Sequence, residues 1–194
     1  MEITSTQLKE LRDKTGISVM QCKKALEEAG GDMEKAVIIL KKKRSEAAEK
    51  KSDRELGAGA VGVYIHNTNE VASMVLLSCE TDFVSKNEEF VALAKEVAMH
   101  VAATNPTYIT KDEVPAEATQ KAKEVFMSEV TDKPADMQAK IVEGKMSSYF
   151  KEQILLEQPF IKNPDTTIGE MITGAVQKFG ENVVVSKISR FSVK

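Results

Sequence analysis

Residues 71–90 read VASMVLLSCETDFVSKNEEF, and this stretch predicts a strand followed closely by a helix. The segment from Val71 to Cys79 is mainly apolar and has the length of a strand. Ser85 and Glu88 then fit the Ser-x-x-Glu capping box, in which the serine accepts a hydrogen bond from a backbone N–H and the glutamate reaches back to the cap. We therefore expect a helix to begin near Lys86.

The corner between the strand and the helix carries an acid next to an aromatic residue, Asp82 and Phe83. A corner on a rigid scaffold is a common place for side chains that meet a partner. The alternative interpretation is that Phe83 or Val84 closes the core above the sheet, while Asp82 is an ordinary turn former. A hydrophobic staple does not explain the corner, because Glu89 stands where Val84 would need an apolar partner.

The sequence around this corner predicts a layered α+β domain with an antiparallel sheet packed with helices. The alternating segment 61–66 and the turn formers at 67–70 make a hairpin with the strand at 71–79, and the strand-like segment 183–193 is expected to return beside it. The predicted helices carry apolar residues at helical spacing. The first has an apolar face from Phe90 to Val101, the second starts at Pro115, and the third includes residues 141–155. The fourth begins with a capping box of Thr167 and Glu170 and ends at Gly180. The two prolines in 158–165 predict an ordered surface crossing.

The first 40 residues predict three short helices that pack together as a small docking module. Their N-terminal caps are expected at Thr4, Ser18 and Asp32. Residues 41–55 are dominated by charges of both signs, which favours a solvated linker helix over a phosphate-binding patch. The predicted domains are therefore 1–40, a linker at 41–55, and an α+β core at 56–194.

Composition excludes several classes of function. The chain has 194 residues, of which 42% are hydrophobic, and its net charge of −3 gives no overall basic field for nucleic acid. No apolar run approaches the length of about 20 residues that spans a bilayer, so we expect no membrane contact and a cytoplasmic location. Cys22 and Cys79 lack the spacing of a disulfide framework or zinc site and are expected to be small buried residues.

Catalytic chemistry has little support in the sequence. His66 and His100 are the two histidines, and we expect His100 to be partly buried or at the surface. The main nucleotide and metal motifs are absent, so we predict no cofactor, no bound metal and no enzyme active site. Cys79 with Glu80 and Asp82 resembles a nucleophile or metal cluster only superficially, since no histidine lies nearby in sequence.

Three segments of the sequence resemble one family, and together they span nearly the whole chain. They are LKELRDKTGISVMQCKKALEEAGGDMEKAV at 8–37, CETDFVSKNEEF at 79–90 and LLEQPFIKNPDTTIGE at 155–170. They resemble bacterial elongation factor Ts, a family of guanine-nucleotide exchange factors for elongation factor Tu. The resemblance implies an N-terminal domain similar to ubiquitin-associated domains, an α+β core and no enzymatic activity.

The resemblance assigns a role to the corner. It implies that Thr81, Asp82, Phe83 and Val84 form the segment that enters the GTPase near its magnesium site. The aspartate and phenylalanine of the family wedge between helices of the GTPase and disturb the coordination of Mg2+ and phosphate. The resemblance therefore implies that GDP release is the function.

A second contact is implied in the helical module. The family uses the turn before its second helix to touch the GTPase, which corresponds here to Val19 and Met20, with Arg12 and Lys23 nearby. Val19 is shorter than the methionine that the family commonly has at this position.

The resemblance also sets the expected partners. The partner is elongation factor Tu, without direct contact to nucleic acid, and the length fits the short form without the coiled-coil insertion. Some short members pair as dimers, so a homodimer is left open. Two alternatives stay open as well: a non-enzymatic interaction module for ubiquitin-like or ribosomal partners, and a thiol enzyme built on Cys79.

Overall fold

The structure is a computed structural model that describes residues 3–131 and 134–193, without the side chains at 135 and 136. It contains two compact units: Met1–Glu55 with Thr173–Asn182, and Leu56–Ile172 with Val183–Lys194. The chain folds into helices and an antiparallel sheet, and its N-terminal region is helical. This confirms the predicted α+β class with a helical N-terminal region. The division into 1–40, 41–55 and 56–194 stays a prediction.

The N-terminal region consists of α1 (Ser5–Thr15), α2 (Val19–Glu28) and α3 (Met33–Glu49). The predicted caps are confirmed, since the side chains of Thr4, Ser18 and Asp32 each accept a hydrogen bond from a backbone N–H three residues later. Most of the charged segment after residue 40 continues α3 instead of starting a new element. The three helices enclose one small core, made of Leu11, Ile17, Cys22, Ala25, Leu26, Ala36 and Leu40.

The remaining α-helices and strands form three groups of strands separated by helices. In chain order they are β1 (Ala58–Ile65), β2 (Val71–Cys79), α4 (Asp82–Ser85), α5 (Glu88–Thr104), α6 (Ala116–Ser128), α7 (Ala135–Gln153), β3 (Pro159–Phe160), β4 (Asn163–Thr167), α8 (Ile168–Phe179) and β5 (Val183–Ser192). The reciprocal capping box of Thr167 and Glu170 at the start of α8 is confirmed.

The main sheet has the strand order β1-β2-β5, with both pairs antiparallel. The predicted hairpin and the return of the C-terminal strand beside it are confirmed. Helix α5 packs on β1 and β2, and its backbone comes close to β1 at Gly62. A side chain at Gly62 would place its Cβ 2.0 Å from the carbonyl oxygen of Ala94, so the glycine permits the close packing of helix on sheet.

Two sequence predictions about the later helices need small corrections. Pro115 precedes α6 as its N-cap and is not its first residue. The helix through 141–155 ends at Gln153, because Ile154 adopts an extended conformation and forms a bridge to Tyr108. Helices α6 and α7 pack as a hairpin, in which the rings of Phe126 and Tyr149 meet edge to face at 5.7 Å.

The prediction of a partly buried or surface His100 is wrong, because the structure buries it completely. Its Nε2 lies 2.8 Å from Oε1 of Gln158, and the backbone N–H of Ile161 donates to Nδ1 at 3.4 Å. Burial lowers the pKa of His100, partly offset by the Gln158 hydrogen bond, so the ring is neutral near pH 7. These partners lie about 60 residues away in sequence, so no local sequence pattern could predict the burial of His100.

The segment 158–165 is ordered, as predicted, but it is not only a surface crossing. It contributes β3 and the start of β4, which pair with each other, and the side chains of Gln158 and Phe160 are buried. Among the described residues, no helix has the length and apolar character needed to cross a membrane.

Candidate functional site

The corner after β2 is a single helical turn, α4, whereas the sequence predicted that the first helical residues come near Lys86. Ser85 does not cap the following helix; its hydroxyl donates to the carbonyl of Asp82 at 3.1 Å. The cap of α5 is Asn87, whose Oδ1 accepts from the N–H of Glu89 at 2.9 Å. The predicted capping box of Ser85 and Glu88 is therefore wrong, because Ser85 already belongs to the preceding turn.

This short turn separates its two apolar residues sharply. Val84 is only 8% exposed and belongs to the core, whereas Phe83 is 88% exposed. Phe83 is therefore not a core residue, and Val84 anchors the turn that presents it. If a partner buries this exposed ring, the burial contributes about 1.5–3 kcal/mol to binding.

Asp82 lies beside Phe83 and is held by a neighbouring cation. Its Oδ2 is 2.6 Å from Nζ of Lys86, one helical turn later, and both side chains are 75% exposed. The hydrogen bond and charge of Lys86 lower the pKa of Asp82, so the carboxylate is ionised at neutral pH. Lys86 was not singled out from the sequence as a partner of Asp82, although the four-residue spacing of acid and base is the signal for such a pair.

The peptide chain leading into the turn is also fixed. Thr81 is the N-cap of α4, and its carbonyl accepts hydrogen bonds from the Cys79 thiol at 3.2 Å and from the N–H of Ser85 at 3.2 Å. Cys79 is fully buried, as predicted, so its sulfur is inaccessible to a substrate. Its place in the structure supports the corner and gives no support to a thiol enzyme.

The second predicted site lies on the first two helices. Val19 and Met20 form the first turn of α2 and are 46% and 70% exposed. Arg12, in the last turn of α1, and Lys23, in the middle of α2, are exposed too, with Nζ of Lys23 3.9 Å from the carboxylate of Glu27. These four residues belong to a different compact unit from Thr81–Val84, and the structure describes each site separately.

A third surface was not anticipated from the sequence. The face of the main sheet away from α5 carries exposed apolar side chains on all three strands, and we call it the outer sheet face. It contains Val61, Val63, Ile65, Met74 and Phe191. The strand register makes it continuous, because Val63 pairs with Met74, and Ala72 lies between Ile65 and Phe191. The alternation in residues 61–65 signals a strand, but it does not say which face stays uncovered.

The comparisons with known proteins agree on one family. The sequence model of the family described as Elongation factor TS matches residues 9–194 of this chain. The chain is 48% identical to an elongation factor Ts of Thermodesulfovibrio yellowstonii, covering 100% of this chain and 97% of that protein. It is 47% identical to one of Heliobacterium modesticaldum over 98% of this chain and 90% of that protein. A third, from Herpetosiphon aurantiacus, is 44% identical over 100% of this chain and 98% of that protein.

The chain belongs to the elongation factor Ts family. This confirms the resemblance inferred from the three sequence segments, and it places the protein in translation elongation. The relatives are matched over nearly their whole length, so the chain has the length of these members of the elongation factor Ts family. Within residues 3–131 and 134–193, no group of three or more His, Cys, Asp or Glu side chains is arranged to hold a metal ion.

Proposed function

We propose that this elongation factor Ts family member binds GDP-bound elongation factor Tu and promotes GDP release by disturbing its Mg2+ and phosphate site. The observation that supports this most is the exposure of Phe83 on a turn anchored by the buried Val84. Thr81, Asp82, Phe83 and Val84 form the segment that enters the GTPase. No cofactor is needed, and the cytoplasm, where translation takes place, is the proposed location.

The two exposed residues of the corner have different tasks. Phe83 enters an apolar cleft of the GTPase and separates its helices, while Asp82 competes for groups that order the metal shell. Asp82 is already ionised in the free protein, and its partner Lys86 is exposed. Because an exposed ion pair contributes little stability, exchanging Lys86 for a group of the GTPase costs little.

The corner alone cannot release a tightly held nucleotide. A nanomolar ligand is bound by about 12 kcal/mol, whereas burying one phenylalanine contributes only about 1.5–3 kcal/mol. Other contacts must therefore supply an interface of about 800 Å2 or more on each partner. The proposed second contact consists of Val19 and Met20, with Arg12 and Lys23 nearby in the sequence.

Reciprocity gives the test of this function. If the protein weakens GDP binding to elongation factor Tu, GDP must weaken binding of the protein by the same factor. We expect nucleotide-free elongation factor Tu to bind the protein more tightly than the GDP-bound form, by about 5- to 150-fold or more. Calorimetric titration of both forms measures this. Equal affinities would contradict a factor that acts by weakening GDP binding. They would favour a plain interaction module, for which ubiquitin-like or ribosomal partners would be the next candidates.

The outer sheet face supports a homodimer. Its apolar side chains lie in one continuous patch, and a second copy offers an identical patch to cover it. Such a two-fold contact is self-complementary, and two sheets can stack face to face with their side chains interdigitated.

A charge placed in this face should separate the two copies. We expect Val63→Lys to shift the mass measured by sedimentation equilibrium from two chains to one, because a buried ammonium in the interface has no partner. Val125→Lys is the control, since Val125 on α6 is exposed to a similar degree, 56% against 48% for Val63. A wild-type protein that sediments as a single chain at micromolar concentration would contradict the homodimer.

A further inference from the structure

A chain of polar side chains links all parts of the helical unit formed by Met1–Glu55 and Thr173–Asn182. Arg44 on α3 donates from Nη2 to the carbonyl of Thr15 at 3.2 Å and from Nε to Oε1 of Gln177 at 3.1 Å. Gln177, in the second half of α8, donates from Nε2 to Oε1 of Gln21 at 2.9 Å. One arginine and one glutamine therefore connect the end of α1 with the beginning of α2.

The contact with Thr15 is chemically favourable. Thr15 is the last residue of α1. At this end of a helix the backbone carbonyls lack helical partners, and the helix dipole places a negative partial charge. A guanidinium there makes a charge-assisted hydrogen bond and meets the dipole with its positive charge. Gly174 on α8 lies next to the guanidinium, since a Cβ at Gly174 would be in ordinary van der Waals contact with it, 3.4 Å from Nη1 of Arg44.

The two contacts, at Thr15 and Gln21, lie on either side of the second predicted contact site in the sequence. Between Thr15 and Gln21 the chain passes through Gly16, in the left-handed region at φ 68°, and Ile17, which is 5% exposed. It then reaches the exposed Val19 and Met20. Ile17 is the one buried side chain within residues 16–20, so the orientation of the exposed pair depends on how both ends of the segment are held.

We propose that Arg44 and Gln177 are positioning residues for the docking surface formed by Val19 and Met20. They hold the end of α1 and the first turn of α2 in one fixed arrangement, and so they lower the cost of ordering this surface when the GTPase binds. The effect on GDP release rests on the proposed exchange function, but the ordering of residues 16–21 is a property of the free protein.

The kinetic test separates positioning from the release step. We expect Arg44→Met to raise the half-saturating concentration of the factor in GDP release by about tenfold, while the maximal rate stays within about twofold. Arg44→Lys should recover only part of this loss, because an ammonium lacks the planar fork that reaches two acceptors. The matched control is Lys42→Met, which removes a cation from the exposed face of the same helix and should change neither quantity.

Two further readouts test whether Arg44 acts through the docking surface. In a Met20→Ala background, Arg44→Met should raise the half-saturating concentration no further, since residues acting through one contact are not additive. Amide hydrogen exchange over residues 16–21 should become faster in Arg44→Met and in Gln177→Leu, and stay unchanged in Lys42→Met. The exchange measurement needs no partner, so it tests the positioning even if the wild-type protein fails to release GDP.

The outcomes are distinct. A wild-type protein without any effect on GDP release contradicts the proposed function and not the positioning of residues 16–21. If the wild type is active but Arg44→Met keeps its half-saturating concentration, the positioning inference is overturned. The same holds if Arg44→Met lowers only thermal stability, or if its effect adds fully to that of Met20→Ala.

Discussion

Phe83→Ala is expected to slow GDP release from elongation factor Tu by about 10- to 200-fold at a saturating concentration of the factor. The estimate is the free energy of burying a phenylalanine, about 1.5–3 kcal/mol, converted to a ratio of rate constants. Because Phe83 is 88% exposed in the free protein, its removal takes away no core packing. The loss should therefore appear in exchange and not in folding.

The controls for this variant follow from its surroundings. Its unfolding temperature should equal that of the wild type, and Phe83→Leu should keep much of the activity because it retains most of the apolar surface. Stopped-flow release of fluorescent GDP provides the rates. A Phe83→Ala protein that releases GDP as fast as the wild type would exclude Phe83 as the wedge.

Gly62→Ala is expected to destabilise the fold by at least about 3 kcal/mol. The new Cβ would lie 2.0 Å from the carbonyl oxygen of Ala94 and 2.7 Å from the backbone nitrogen of Lys95. Both atoms belong to the backbone of α5, so no change of rotamer relieves the clash, and the helix must move away from the sheet. Urea unfolding monitored by circular dichroism measures the loss.

Gly144 on α7 provides the matched control. A Cβ at Gly144 meets nothing within 4 Å, and the residue lies inside a helix. Gly144→Ala should therefore stabilise the protein by about 0.5–1 kcal/mol through its better helix propensity. If both alanine variants changed the free energy of unfolding equally, the close approach of α5 to β1 would be wrong.

The sequence predicted those parts of the fold that depend on neighbouring residues. The caps at Thr4, Ser18 and Asp32 and the hairpin of β1 and β2 each follow from residues a few positions apart. The role of Gly62 could not be seen in this way, because Ala94 is 32 positions later and only the packed structure brings the two together.

The candidate site was located by sequence but not resolved in detail. Residues 81–84 were singled out, and the resemblance supplied their role. However, a segment of four residues has too little periodicity to show that Val84 turns inward and Phe83 outward. The cap was misplaced for the same reason, since Ser85 and Asn87 are both good capping residues, and only the backbone geometry decides for Asn87.

The proposed function requires that this chain speeds GDP release from elongation factor Tu. The most direct measurement is stopped-flow fluorescence of labelled GDP leaving elongation factor Tu at millimolar Mg2+, with and without the wild-type protein. We expect a release rate that rises with protein concentration to a plateau well above the spontaneous rate. An unchanged rate at saturating concentrations of the folded protein would contradict the proposed function.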